Sequence, residues 1–179
     1  MIDNTSARKI LPVFAQYGFK KTSMEDIARA AGLSRQSIYN RFGSKDAVFE
    51  WAVATFITDM LQDVTDILNS AGADPLVLLA KVYDVWVGSQ FPLWCGTSHG
   101  AEIMDLSIVV ANRSSLDLEG GFAKVVSRFL LDRSLASAPA TADNKAFVLS
   151  LASKGLLSEA KSAEVFSREM MRVISTTVG

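Results

Sequence analysis

Six of the seven side chains in Arg35-Gln36-Ser37-Ile38-Tyr39-Asn40-Arg41 can donate or accept a hydrogen bond, and two are guanidinium groups. Such a set suits nucleic acid. Arg pairs with guanine and Gln with adenine in a major groove, while Arg, Tyr and hydroxyl groups also hold phosphate oxygens. A second cluster, Gly96-Thr97-Ser98-His99-Gly100, fits the G-x-S-x-G elbow of serine hydrolases. The only histidine is His99, inside the motif, so no separate base remains for a triad, and no strand pattern precedes it. Cys95, His99 and Glu102 have a helical spacing compatible with metal ligation, but zinc sites ordinarily draw on more Cys and His than one of each. Cys95, the one cysteine, has no thiol partner in the chain. Gly96 and Gly100 have the small-xxx-small spacing of close helix contacts. No enzyme, metal or cofactor is expected.

The polar set needs a helix that leaves it outward, and the flanking residues supply one. Ile27, Ala28 and Ala31 form an apolar edge that meets Leu33, Ile38 and Phe42, with the small alanines allowing a close crossing. Thr22 to Glu25 has capping-box spacing, Gly32 permits a tight turn, and Ser34 is a good N-cap. Helix, short Gly-containing turn and second helix make the helix-turn-helix plan, whose second helix enters the DNA major groove.

Elsewhere apolar residues also recur every three or four positions, and alternating strand patterns are scarce, so the fold class is all-α. Ile10, Val13, Phe14 and Tyr17 predict a helix over about Asn4 to Tyr17, despite Pro12 inside it. Phe49, Val53, Phe56, Met60, Val64 and Ile67 predict a long fourth helix over about 45–71. Further helices are expected at about Pro75–Gln90, Thr97–Asn112, Leu118–Ala136, Ala142–Lys154 and Ser158–Thr177. The expected breaks are Phe91-Pro92, Asn112 to Ser115, Ala138-Pro139-Ala140 and Gly155.

The 179 residues are 49% apolar, enough to bury a sizeable core. The longest apolar run, Leu76 to Ala80, is far short of the ~20 residues of a membrane span, and no signal core opens the chain. With a single cysteine, a reducing cytoplasm is the expected location. The net charge of −1 hides a division: residues 1–50 carry eight Lys/Arg against five acids, the remainder ten against fourteen. A basic head on an acidic body points to a polyanion as partner of the head alone.

At the head the sequence resembles the TetR family of transcriptional regulators. The matching residues are Gly18-Phe19, Thr22-Ser23-Met24-Glu25-Asp26-Ile27-Ala28, Ala31-Gly32-Leu33-Ser34 and Ile38-Tyr39-Asn40-Arg41-Phe42-Gly43-Ser44-Lys45-Asp46, within roughly residues 7–56. The resemblance implies a helix-turn-helix DNA-binding domain, 1–46, and a helical ligand-binding and dimerisation domain, 47–179. It implies that Arg35, Gln36 and Ser37 face bases, with Ser34 and Asn40 at the same surface, and that Tyr39, Arg41, Lys45, Thr22 and Ser23 hold phosphates. In such proteins the body binds a small molecule and pairs with a second copy through its last two long helices, here about 142–177. Phe147, Leu151, Phe166, Met170, Val173 and Ile174 give those helices apolar stripes, which an internal core would equally explain. Trp86, Phe91, Trp94, Met104, Phe122, Phe129 and Phe147 are candidates for an apolar pocket, with Cys95, His99 and Arg113 as polar neighbours. The expected function is a regulator, a repressor, that binds a palindromic double-stranded operator as a homodimer and is released by a small-molecule effector. The alternative is a helical small-molecule-binding protein, or a Ser98-based hydrolase, without a DNA-binding role.

Overall fold

A computed structural model of the protein describes residues 4–113 and 118–179. It is helical, with no strand among the described residues. The ten α-helices among the described residues are α1 Asn4–Tyr17, α2 Met24–Ala31, α3 Arg35–Phe42, α4 Lys45–Leu68, α5 Pro75–Trp86, α6 Phe91–Trp94, α7 Gly100–Arg113, α8 Leu118–Asp132, α9 Pro139–Glu159 and α10 Ala163–Val178. No helix among the described residues is long and apolar enough to cross a membrane.

Two compact units emerge from the packing. One gathers Met1–Asp59 with Pro92–Asp117, the other Met60–Phe91 with Leu118–Gly179, so α4 contributes residues to each. In the first unit Ala7, Ile10, Leu11, Phe14 and Ala15 form the buried stripe of α1, and Pro12 stands on its exposed side without ending the helix. The stripe anchors both halves around the proline. Phe14 packs edge-on to Phe49 of α4 at 5.0 Å and stacks with Phe19 at 5.6 Å, while Ile27 of α2, Ile38 of α3 and Ile103 of α7 are fully buried. The second unit is built on Val82, Tyr83, Phe122, Phe129, Phe166, Met170 and Ile174.

Several boundaries depart from the local pattern, each for a packing reason. The cap of α2 is Ser23, one residue later than the Thr22–Glu25 spacing suggests: Ser23 Oγ accepts from the Asp26 amide, and the Asp26 carboxylate accepts from the Ser23 amide. Thr22 is unavailable because its buried Oγ1 donates to the Gly18 carbonyl at 2.8 Å. Helix α4 ends at Leu68 rather than Ala71, and α8 ends at Asp132 rather than Ala136, where Ser134 takes a positive φ and the amides of Leu135 and Ala136 bond the Leu130 carbonyl. Phe91-Pro92 opens a short helix instead of forming a plain break, since proline is tolerated in a first turn. Helix α7 starts at Gly100, not Thr97; a side chain at Gly100 would run into the carbonyls of Leu93 and Trp94. Gly96 and Gly100 therefore serve a tight turn and not a helix-helix contact. Ser114 and Ser115, part of an expected break, lie outside the described residues.

Gly155 does not end α9, which continues to Glu159. A mid-helix glycine costs about 1 kcal/mol relative to Ala, and Leu156 and Leu157, packed on the core just beyond it, offset that. The stripe of α10 is internal as well. Phe166, Met170 and Ile174 are buried in their own unit, so they form no face for a second copy. Helix α9 differs: Ala142, Ala146 and Leu149 are buried while Phe147, Val148 and Leu151 are 64, 46 and 60% exposed.

Candidate nucleic-acid interface

The turn between α2 and α3 closes through the Gly32 amide on the Arg29 carbonyl and the Leu33 amide on the Ala28 carbonyl. Gly32 takes φ +68, a conformation that favours glycine. Helix α3 is held by one fully buried residue, Ile38, with Leu33 and Phe42 half-buried beside it. Everything else on it is exposed: Arg35, Gln36, Ser37, Tyr39, Asn40 and Arg41, with no acid among them. The capping residue Ser34 is exposed too, its Oγ accepting from the Ser37 amide and lying 2.8 Å from the Ser37 hydroxyl.

These side chains are organised in pairs one helical turn apart. The Arg35 guanidinium lies 5.2 Å over the Tyr39 ring, and Gln36 Nε2 donates to Asn40 Oδ1 at 2.7 Å. Tyr39 chiefly, and Glu25 weakly, hold Arg35 above the already high arginine range, so it is a permanent cation. Arg41 lies over the rings of Phe42 and Trp51, at 5.5 and 5.8 Å. The result is a solvent-facing row of donors and two fixed positive charges on a short rigid helix.

The expected phosphate ligands separate on inspection. Tyr39, Arg41 and Ser23 are exposed. The hydroxyl of Thr22 is not: at 2% exposure and bonded to Gly18, it holds the turn between α1 and α2, which corrects its expected phosphate role. Lys45 is also engaged. Its ammonium donates to the carbonyls of Phe19, Lys20 and Thr22 at 2.6, 3.1 and 3.0 Å and lies 4.8 Å over the Phe19 ring. The start of α4 thus clamps the same turn.

The geometry is that of a DNA-reading helix-turn-helix, and residues 8–52 match the family model of bacterial regulatory proteins, tetR family. Residues 8–52 form a DNA-binding domain of the TetR type. An uncharacterized HTH-type transcriptional regulator, YezE of Bacillus subtilis, is 31% identical over 65 residues, 36% of this chain and 34% of that one. The match therefore spans about a third of that relative's length. Beyond the head the likeness is one of fold. A TetR transcriptional regulator from Legionella pneumophila superposes with a TM-score of 0.74 at 16% identity, covering 99% of both chains. NalD of Pseudomonas aeruginosa, the secondary repressor of the MexAB-OprM multidrug efflux pump, does so at 0.61 and 17%, covering 98% of this chain and 96% of its own.

The ten expected ligand residues are divided between the two units. Trp86, Phe122 and Phe147 line a cavity of about 500 Å³ in the second unit, with Val87, Ala146, Ser150 and Leu151. Phe129 lines a separate groove with Leu68 and Arg133. Phe91 is half-buried at the start of α6. Trp94, Cys95, His99, Met104 and Arg113 fall in the first unit, where Trp94 packs edge-on to Phe56 at 6.3 Å, Met104 is half-buried and Arg113 is exposed at the end of α7. Cys95 is exposed, and partial burial pushes its thiol up.

His99 is engaged with α1 and with Glu102. Its amide donates to the Ala15 carbonyl at 2.9 Å, and its ring lies so close to Gly18 that a Cβ there would be 3.0 Å from Nδ1. Nδ1 is 2.9 Å from Glu102 Oε2. The imidazole thus sits on the last turn of α1, opposite no catalytic hydroxyl: Ser98 is exposed in the turn between α6 and α7, and a helix, not a strand, precedes it. The Lys45 clamp and the His99 contact were not legible locally, because their partners lie 23–26 and 81–84 residues away in sequence.

Proposed function

We propose that this protein is a TetR-family regulator, a cytoplasmic transcriptional repressor that binds a palindromic operator as a homodimer and is released by a small-molecule effector. The observation that carries this is the exposed face of α3, donor-rich, cationic and free of acids, on a helix that keeps one side chain fully buried. Residues 1–46 read DNA, with Arg35, Gln36 and Ser37 on base edges and Tyr39 and Arg41 on phosphates. Residues 47–179 sense and dimerise. The second copy covers the exposed Phe147, Val148 and Leu151 of α9, because one short recognition helix reads too few bases, whereas two-fold pairing reads half-sites one helical turn or a multiple apart.

The effector occupies the cavity formed by α5, α8 and α9 and favours a conformation in which the heads no longer fit the operator. Titrating the full chain against its own upstream DNA at several salt concentrations tests the reading. Specific, salt-dependent binding by a dimer is expected; equal affinity for random duplex refutes it. Release requires that a ligand bind free and DNA-bound protein unequally, so equal ligand affinities refute the coupling.

A further inference from the structure

The cavity in the second unit has a wall of rings. Trp86 and Phe122 stack at 4.4 Å and 7°, and Tyr83 meets the other ring edge-on at 5.3 Å and 85°. Phe122 and Tyr83 are buried, whereas Trp86 is only half-buried, so Trp86 offers the ring surface still open to an added layer. Aromatic pairs favour such offset or edge-on layering and gain from it beyond the area they bury.

The polar part of the lining is short of acceptors. Two hydroxyls, Tyr83 Oη and Ser150 Oγ, are buried beside each other and find no other hydrogen-bond partner, a rare condition in a folded protein. Ser150 lines the cavity, and Tyr83 lies beside it. Burial pushes the Tyr83 hydroxyl far above its usual range, so it remains a phenol and a donor. A donation from Tyr83 to Ser150 leaves the Ser150 proton for something in the cavity. The charged lining residues are Lys124, Lys154 and Asp143, and Asp143 accepts the Ser127 hydroxyl at 2.6 Å.

We propose that this cavity takes a flat aromatic compound bearing a carboxylate or carbonyl oxygen, its ring layered on Trp86 and its oxygen accepting from Ser150 with Tyr83 behind it. This deepens the effector reading given above and rests on it.

Calorimetric titration of the full chain with 2-naphthoate is the test. One molecule per chain is expected. Decahydro-2-naphthoate, with the same oxygen but no flat ring, should bind about tenfold more weakly or worse. The cation 2-naphthylmethylammonium should also lose about tenfold, and so should 2-naphthoate on Ser150→Ala or Tyr83→Phe, each checked by its thermal melt. Equal binding of the saturated acid overturns the aromatic requirement, equal binding of the cation overturns the acceptor requirement, and indifference to Ser150→Ala overturns the site. Absence of 2-naphthoate binding at millimolar concentration overturns the class. The effector reading fails separately: a compound whose binding is abolished by filling the cavity with Ala146→Trp, yet which leaves operator affinity unchanged, refutes release but not ligand class. A saturated acid such as decanoate that binds there and releases DNA refutes the class but not the effector reading.

Discussion

Helices α3 and α9 both turn large side chains to solvent, and the two sets are chemically opposite. On α3 the uncovered groups are Arg35, Gln36, Asn40 and Arg41, hydrated and partly satisfied by one another. On α9 they are Phe147, Val148 and Leu151, which water does not satisfy. A polar face loses nothing by standing uncovered, so its partner can come and go; an apolar face gains from lasting cover. The same chain thus presents one surface suited to a transient polyanion and one suited to lasting apolar cover.

The comparison breaks most sharply at α9. Phe147→Asp with Leu151→Asp should raise the dimer dissociation constant about a hundredfold or more, ~3 kcal/mol, since each lost apolar contact counts twice across a two-fold axis. Sedimentation velocity checks this, and an unchanged dimer would show that the face is ordinary surface. Within the head the contrast is between cations that face solvent and one that holds the fold. Because the Lys45 ammonium is committed to three carbonyls, Lys45→Met should cost ~2 kcal/mol of stability in denaturant melts. The salt slope of DNA binding should stay the same; a slope lower by about one would place Lys45 on a phosphate.

Arg35→Ala should do the reverse, leaving the melt alone while operator affinity falls roughly ten- to hundredfold and random-DNA affinity changes far less. Competition binding with specific and random duplexes measures both. The smallest effect concerns Asp26, whose carboxyl the Ser23 hydroxyl and amide hold below the ordinary 3.8. Its folded-state value being depressed, the stabilisation is complete above 3.8 and is lost as pH falls through the lower folded value. The melting difference between Asp26→Asn and the parent should be constant above about pH 4 and shrink below it.

Much of the head was legible in the residues. The limits of α1 and α3, the turn at Gly32 and the cap at Ser34 all follow from local rules: apolar spacing, a glycine able to take positive φ, and a side-chain oxygen within reach of the next turn's amide. Even there the reading slipped by one residue at Thr22, because whether a hydroxyl caps a helix or turns inward depends on whether a carbonyl waits behind it, and the Gly18 carbonyl does. In the body a stripe of apolar residues announces burial but not against what. The spacing of Phe166, Met170 and Ile174 resembles that of Phe147 and Leu151, yet the first set closes its own core and the second faces water.

The sequence by itself determined the helical class, the reading module and the outward polar row of α3, since each rests on interactions between residues a few positions apart. Tertiary structure decided which cation clamps a turn, which aromatic residues share a cavity, that His99 rests on α1, and which apolar face stays open. Those outcomes depend on contacts between segments far apart in the chain, and periodicity records only that a side chain is to be covered, never by what.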